Sequence, residues 1–257
     1  MVRIKLTIAY DGTDYCGWQR QANKSATVQQ TIEDALASLL YQPITIHGAG
    51  RTDSGVHALG QVASFECCKP FPASNLQHAL NNILPSDIRI ISTEEAADDF
   101  HARYCAIGKR YIYLIDCNGQ ANAFNCRYGW HLPGKLDIKA MQQAAALLVG
   151  KHDYYHFSAR GSNAKTTVRT IKSINIYQPN IIAPVFPWQY LHDPWVIEAT
   201  ADGFLYKMMR IISCRLIAVG QGIISLSDIG GYLDGSFNKN IQLAPAKGLL
   251  LANVYFK

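Results

Sequence analysis

The chain has no C-x-x-C pair, no His/Cys spacing of a zinc site, no hydrophobic run long enough to span a bilayer and no low-complexity segment. Each absence removes a class of protein. The seven cysteines are an odd number, and Cys67 and Cys68 are adjacent, which does not suit a structural disulfide. Reduced, mostly buried thiols are expected instead, and with them a cytosolic compartment. A bilayer span needs about 20 apolar residues, and no such run exists. The opening Met1-Val2-Arg3-Ile4-Lys5-Leu6 already alternates like a strand, so no signal peptide is expected. With 17% charged and 49% hydrophobic residues the chain is a folded protein rather than a disordered one. A net charge of +5 is compatible with a nucleic-acid partner and too mild to establish one.

The 257 residues suffice for one large or two ordinary domains. The first half reads as strand, helix, strand, strand, helix, strand. Ile4, Leu6, Ile8 and Tyr10 alternate with polar or small residues, as in a half-buried strand. Thr27-Val28-Gln29-Gln30 opens a helix whose apolar face is Val28, Ile32, Ala35, Leu36, Leu39 and Leu40, and Pro43 stops it. Ile44 to His47 and Gln61 to Cys67 read as strands, Ser74 opens a second helix that Pro85 ends, and Asp87 to Ser92 returns as a strand. The second half repeats the order with longer loops: a strand over Arg110 to Ile115, a helix from Asp137 to Gly150, strands over Val168 to Tyr177 and Trp195 to Ala201, a helix from about Gly203 to Val219 with Gly220 to end it, a short helix near Ser227 to Leu233 and a last strand over Leu249 to Phe256. Two βαββαβ runs predict an α/β (α+β) fold of two ferredoxin-like halves, residues 1–102 and 103–257. Asn118 to Leu132 and the proline-rich Gln178 to Pro194 read as loops.

Between two strand-like segments lies Gly50-Arg51-Thr52-Asp53-Ser54-Gly55-Val56-His57. Loops held by a scaffold tend to carry function. Asp53 is short, and a guanidinium two residues away keeps it ionised, which suits a carboxylate nucleophile. Spacing alone equally allows an Asx-type turn beside an ion pair. Tyr111 sits on a strand where period two puts Tyr111, Tyr113 and Ile115 on one face, and an ordinary core tyrosine is the plain alternative. Trp18-Gln19-Arg20-Gln21 is an aromatic, polar and basic run suited to stack on and hydrogen-bond RNA, though Trp18 by itself could anchor a loop. Arg169 and Lys165 could meet phosphate. His57 and His101 are weak candidates, since a lone histidine is more often structural.

Four blocks together carry a resemblance: Gly50 to Ala58, read as GRTDSGVHA; Tyr10-Asp11-Gly12 followed by Tyr15-Cys16-Gly17-Trp18-Gln19-Arg20-Gln21; Phe100-His101-Ala102-Arg103 leading into Lys109-Arg110-Tyr111; and Ala244-Pro245-Ala246-Lys247-Gly248-Leu249. In order and spacing, over essentially the whole chain, they resemble the TruA-type tRNA pseudouridine synthases. Ten of the 24 lysines and arginines, namely Arg20, Lys24, Arg51, Arg103, Lys109, Arg110, Lys165, Arg169, Lys207 and Arg210, cluster around these blocks.

The resemblance implies an isomerase that breaks the N1–C1′ bond of a uridine, turns the base in place and rejoins it through C5, with no cofactor or metal. It implies action on the anticodon stem-loop of tRNA at positions 38, 39 and 40, by a cytoplasmic homodimer whose halves lie side by side with the active-site cleft between them. Asp53 would be the nucleophile, toward C1′ or C6, or a base at C2′; the sequence does not choose. Tyr111 would pack on the target base, Arg210 would pair with Asp53, and Arg51 would help to push the nucleotide out of its stack. Trp18, Arg20, Gln21, Lys109, Arg110, Arg169 and Lys207 are the expected RNA contacts. Met209-Arg210-Ile211-Ile212-Ser213 departs from the family's usual Val-Arg-Asn-Ile-Val-Gly but keeps the arginine. Two other readings compete. A non-catalytic RNA-binding protein would be ill served by Asp53, a carboxylate that repels phosphate. A carboxylate-nucleophile nucleoside hydrolase would need a second carboxylate, for which Asp11, Asp14 or Glu66 could approach in the fold.

Overall fold

A computed structural model describes residues 1–22, 26–68, 73–118, 120–123, 125–159, 161, 164–179, 191–237 and 242–257. The chain divides into two compact units, Met1–Ile107 with Leu250–Lys257, and Gly108–Leu249. The expected division after residue 102 therefore differs at the C-terminus. Leu250 and Leu251 of the last strand pair in parallel with His57 and Ala58, deep in the first unit.

The first unit runs β1 (Val2–Tyr10), α1 (Val28–Leu40), β2 (His47–Gly48), β3 (His57–Cys67), α2 (Ala73–Ile83) and β4 (Ile88–Ala96). β1 lies between β3 and β4, antiparallel to both, and the other side of β3 pairs with β2 at Ser64 and Ala63 and with the last strand at His57 and Ala58. That order, β4-β1-β3-β2, follows from the βαββαβ connectivity. Ile4, Leu6, Ile8 and Tyr10 are buried on one face of β1, as their alternation predicts. Thr27 caps α1 through its side chain, accepting from Gln30 N. β2 is shorter than expected. Ile44 and Ile46 are buried in alternation, yet Ile46 N–H donates to the Glu33 carboxylate at 3.0 Å and Ile46 C=O accepts from Gln29 Nε2 at 3.2 Å. Two helix side chains thus take the backbone bonds that a neighbouring strand would otherwise make.

The second unit holds β5 (Ala106–Asp116, whose first two residues belong to the first unit), β6 (Trp130–His131), α3 (Ile138–Leu147), β7 (Gly150–Asp153), β8 (Val168–Tyr177), β9 (Pro194–Ala201), α4 (Met208–Gly220) and α5 (Leu226–Asp234); β10 (Leu249–Phe256) closes the chain. β9 lies between β5 and β8, and β7 adds to β8, all antiparallel. Asp137 caps α3 and Ser225 caps α5 in a full capping box. α4 starts at Met208 rather than near Gly203, because Lys207 takes a left-handed backbone (φ 58°) that no helix interior accommodates. Its buried residues, Met208, Met209 and Ile212 to Gly220 without a break, surround most of the helix. The left-handed turn beyond it belongs to Gly222 (φ 69°), not Gly220. Asn118 to Leu132 is braced where described: Asn122 and Asn125 exchange side-chain-to-backbone bonds, and β6 pairs with β5. Residues 180–190 of the proline-rich loop, and Lys24, lie outside the described residues. Among the described residues no helix is long and apolar enough to cross a membrane.

Candidate active site

In the first unit, two of the sequence blocks prove to be one structure. The turn after β1 forms a cradle and the Asp53 loop sits in it. Trp18 N–H donates to Thr52 C=O (3.1 Å), Gly55 N–H and Ser54 Oγ both donate to Tyr15 C=O (3.4 and 3.2 Å), and the Tyr10 and Thr52 hydroxyls bond at 2.8 Å. From the strand side, Gln61 Nε2 donates to Gly50 C=O at 2.9 Å, and Val56 N–H closes the turn on Asp53 C=O at 3.2 Å. The cradle is itself held by α1, whose Val28 and Gln29 N–H groups, unpaired within a helix's first turn, donate to Gly17 and Trp18 C=O. Gly17 makes this approach possible. Its φ is +87°, and a Cβ there would stand 2.6 Å from Thr52 O.

Asp53 is half-buried at the tip of this loop. Burial pushes the Tyr10 hydroxyl well above the usual tyrosine range, outweighing its bond to Thr52, and it stays protonated. Tyr15 is raised too, first by burial and then by its bond to Asp87. His57 is fully buried, with Nδ1 3.1 Å from Gly12 N and 3.0 Å from Asp11 Oδ1. It fastens the start of β3 to the cradle, which is the structural role expected of a lone histidine. Glu66, one of the carboxylates considered as a partner for Asp53, is instead ion-paired with Arg3 nine residues along β3.

Arg51 is exposed, and its Nε donates to Gln19 Oε1 at 3.0 Å. From there a chain of side chains runs to Gln29, to the buried Glu33 carboxylate and to the exposed Arg20 guanidinium, 3.3 Å from Glu33. Gln21 is exposed and donates to Cys16 C=O. Trp18 is the exception in this run. It is 1% exposed, lying against Gly48 and tilted on Tyr10 at 6.0 Å, so it anchors the loop and presents no face to a base.

In the second unit, Tyr111 is 7% exposed and meets Phe204 edge-on at 4.9 Å. The adjacent Tyr113 donates its hydroxyl to Pro245 C=O, and Arg210 Nε donates to Ala244 C=O at 2.8 Å. The block Ala244 to Leu249 is therefore a brace. One stretch of backbone aims the guanidinium at the start of α4 and holds the tyrosine face of β5, a role its sequence did not disclose. Lys247 extends it, donating Nζ to Cys126 C=O and accepting from Gly129 N–H. Of the remaining cations, Arg110 lies 3.6 Å from Glu198, Lys109 is half-buried, and Arg169 donates to Thr166 and Val168 C=O. Lys207 precedes the helix, with Nζ over the Tyr206 ring, so it does not share a helical face with Arg210.

The first unit thus fixes the loop backbone on either side of Asp53, and the second unit separately holds Arg210 and Tyr113 on the Ala244–Pro245 backbone. A family model described as tRNA pseudouridine synthase matches residues 6–105 and 144–257. A protein named tRNA pseudouridine synthase A from Ruminiclostridium cellulolyticum is 41% identical over 259 aligned residues, and one of the same name from Acetivibrio thermocellus is 42% identical over 257, each covering 100% of both chains. A solved structure titled as a Cbf5-Nop10-Gar1 complex aligns with 83% of this chain and 54% of its own at 10% identity and a TM-score of 0.34. The chain belongs to the tRNA pseudouridine synthase family.

Proposed function

We propose that the chain isomerises uridine to pseudouridine in the anticodon stem-loop of tRNA, at positions 38, 39 and 40, as a cytoplasmic homodimer. The observation that carries this reading is the Asp53 loop, a carboxylate at the tip of a turn whose neighbours are fixed by the cradle and by β3. Asp53 is the nucleophile in this proposal. A carboxylate that attacks a sugar or ring carbon must be held at a defined position, because reaction rate falls steeply with misplacement. Tyr111 covers the detached uracil, Arg210 pairs with the Asp53 carboxylate, and Arg51 helps to displace the nucleotide from its stack. The exposed guanidinium of Arg20 and the side chains of Gln21, Lys109, Arg110, Arg169 and Lys207 are assigned to the RNA backbone, which phosphate contacts position without reading sequence. Trp18 is left out of that set because it is buried.

The position is tested by incubating unmodified tRNAs with the protein and mapping pseudouridine by carbodiimide labelling and primer extension. Stops confined to positions 38 to 40 support the assignment. Modification elsewhere in the tRNA, with those positions untouched, refutes the position and leaves the isomerisation standing.

A further inference from the structure

The block Phe100 to Arg103 has no part in the chemistry just described, yet the structure builds something from it. The turn is tied down on every side. Tyr104 and Cys105 N–H donate to His101 C=O, Ala102 N–H donates to Ser64 Oγ at 3.1 Å, and Arg3 Nη1 donates to Phe100 C=O at 2.8 Å. Fixed in this way, the turn lines up planar groups. The His47 and His101 rings stack at 4.9 Å and 28°, the His101 and Tyr104 rings lie 4.4 Å apart, and the Arg103 guanidinium sits 5.7 Å from the Tyr104 ring centre. The stack is open to solvent, with Tyr104 75% exposed. It borders a cavity of about 350 Å³ lined by Ile44, His47, Phe65, His101 and the Arg3–Glu66 ion pair among others.

Stacked rings with a flanking guanidinium group on a fixed turn are how proteins hold unpaired nucleotides. His101 suits the role. Arg103 N–H donates to its Nδ1, so in the neutral ring Nε2 carries the proton and can donate. Burial first, and then the neighbouring His47 and Arg3, lower the His101 pKa below its ordinary value, which favours the neutral ring. The place is separate from the chemistry. His47 is in register with Ser64, and Ala58, next to the Asp53 loop, lies six residues back along β3, on the order of 20 Å away at ~3.3 Å per residue.

We propose that His47, His101, Tyr104 and Arg103, with the adjoining cavity, form a second RNA site that receives an unpaired nucleotide of the tRNA other than the one being isomerised. This rests on the tRNA reading above. The ring stack holds the base and Arg103 meets a phosphate beside it.

The test compares native protein with Tyr104→Ala, Tyr104→Trp and Asp53→Ala, measuring tRNA affinity by filter binding and turnover by tritium release from C5-labelled uridine. Tyr104→Ala should weaken tRNA binding and raise KM by about ten-fold or more, with kcat at saturation within two-fold of native. Tyr104→Trp should restore both, whereas Asp53→Ala should lose turnover and keep affinity. A photo-crosslink from 4-thiouridine-substituted tRNA should reach Tyr104 from a nucleotide outside the modified positions. Native turnover with KM and affinity unchanged in Tyr104→Ala would overturn the second site and leave the enzyme reading intact. A native protein that neither binds nor turns over tRNA would overturn both.

Discussion

Replacing Gly17 by alanine places one methyl group where the Asp53 loop needs space. The added Cβ would lie 2.6 Å from Thr52 O and 3.1 Å from Asp53 C and Ser54 N, against an ordinary contact beginning near 3.4 Å. Something must therefore move by about 0.8 Å, and the atoms in the way are loop backbone rather than a flexible side-chain tip. Misplacing a reacting group by ~1 Å costs about 10²-fold in rate. Turnover by Gly17→Ala is therefore expected to fall roughly 10- to 100-fold, with tRNA affinity kept within about three-fold. The backbone strain of an L-residue at positive φ adds about 1–3 kcal/mol of lost stability. Gly222→Ala is the control, since its φ is +69° and no heavy atom lies within 4 Å of the added Cβ. It should lose stability to a similar extent with turnover unchanged. Thermal unfolding and tritium release, measured on both variants well below the melting transition, separate strain from displacement. If Gly17→Ala turned over at the native rate, the claim that the cradle positions Asp53 would be wrong.

Trp18→Ala should cost about 3–5 kcal/mol by leaving a cavity under the loop, whereas Trp18→Phe should fold and bind tRNA with native affinity. A large loss of RNA affinity in a folded Trp18→Phe would put the ring back on the surface. Burial raises both the Cys117 and the Cys214 thiols to about 11. At pH 8 their thiolate fractions are small, so alkylation should label the exposed Cys16, Cys68 and Cys126 first, with Cys214 and Cys117 last, as read by mass spectrometry. The linked stability follows in sign. These thiols ionise in the unfolded chain near their ordinary pKa of 9.0 and in the folded one nearer 11, so their contribution is complete below pH 9 and is lost as pH rises from 9 to about 11. Urea midpoints that rise across that window would contradict it.

Local chemistry was the legible part of the sequence. Thr27 reads as a helix cap and is one, the alternation in β1 reads as a strand and is one, and the bounds of β10 agree. What escaped depends on partners distant in sequence. Nothing near Leu250 announces that it pairs with His57 across nearly 200 residues, so the last strand was expected in the wrong unit. Ile44 to Ile46 carry a strand's alternation, but Glu33 and Gln29 take the backbone groups. β7 is four residues of Gly, Lys, His and Asp, too short and polar to show a period. The site divides in the same way. Asp53 stood out through its own loop, and its resemblance to a known family named the chemistry. The cradle that holds it, the brace of Ala244 and Pro245 on Arg210 and Tyr113, and the burial of Trp18 come only from the fold.

Tritium release to water from tRNA labelled at uridine C5, by native protein and by Asp53→Ala, tests the central claim most directly. The expectation is release by the native protein and none by the variant, with tRNA affinity retained. Release by Asp53→Ala at the native rate would contradict the assignment of Asp53 as the nucleophile, and no release by native protein that binds tRNA tightly would contradict the enzyme reading itself.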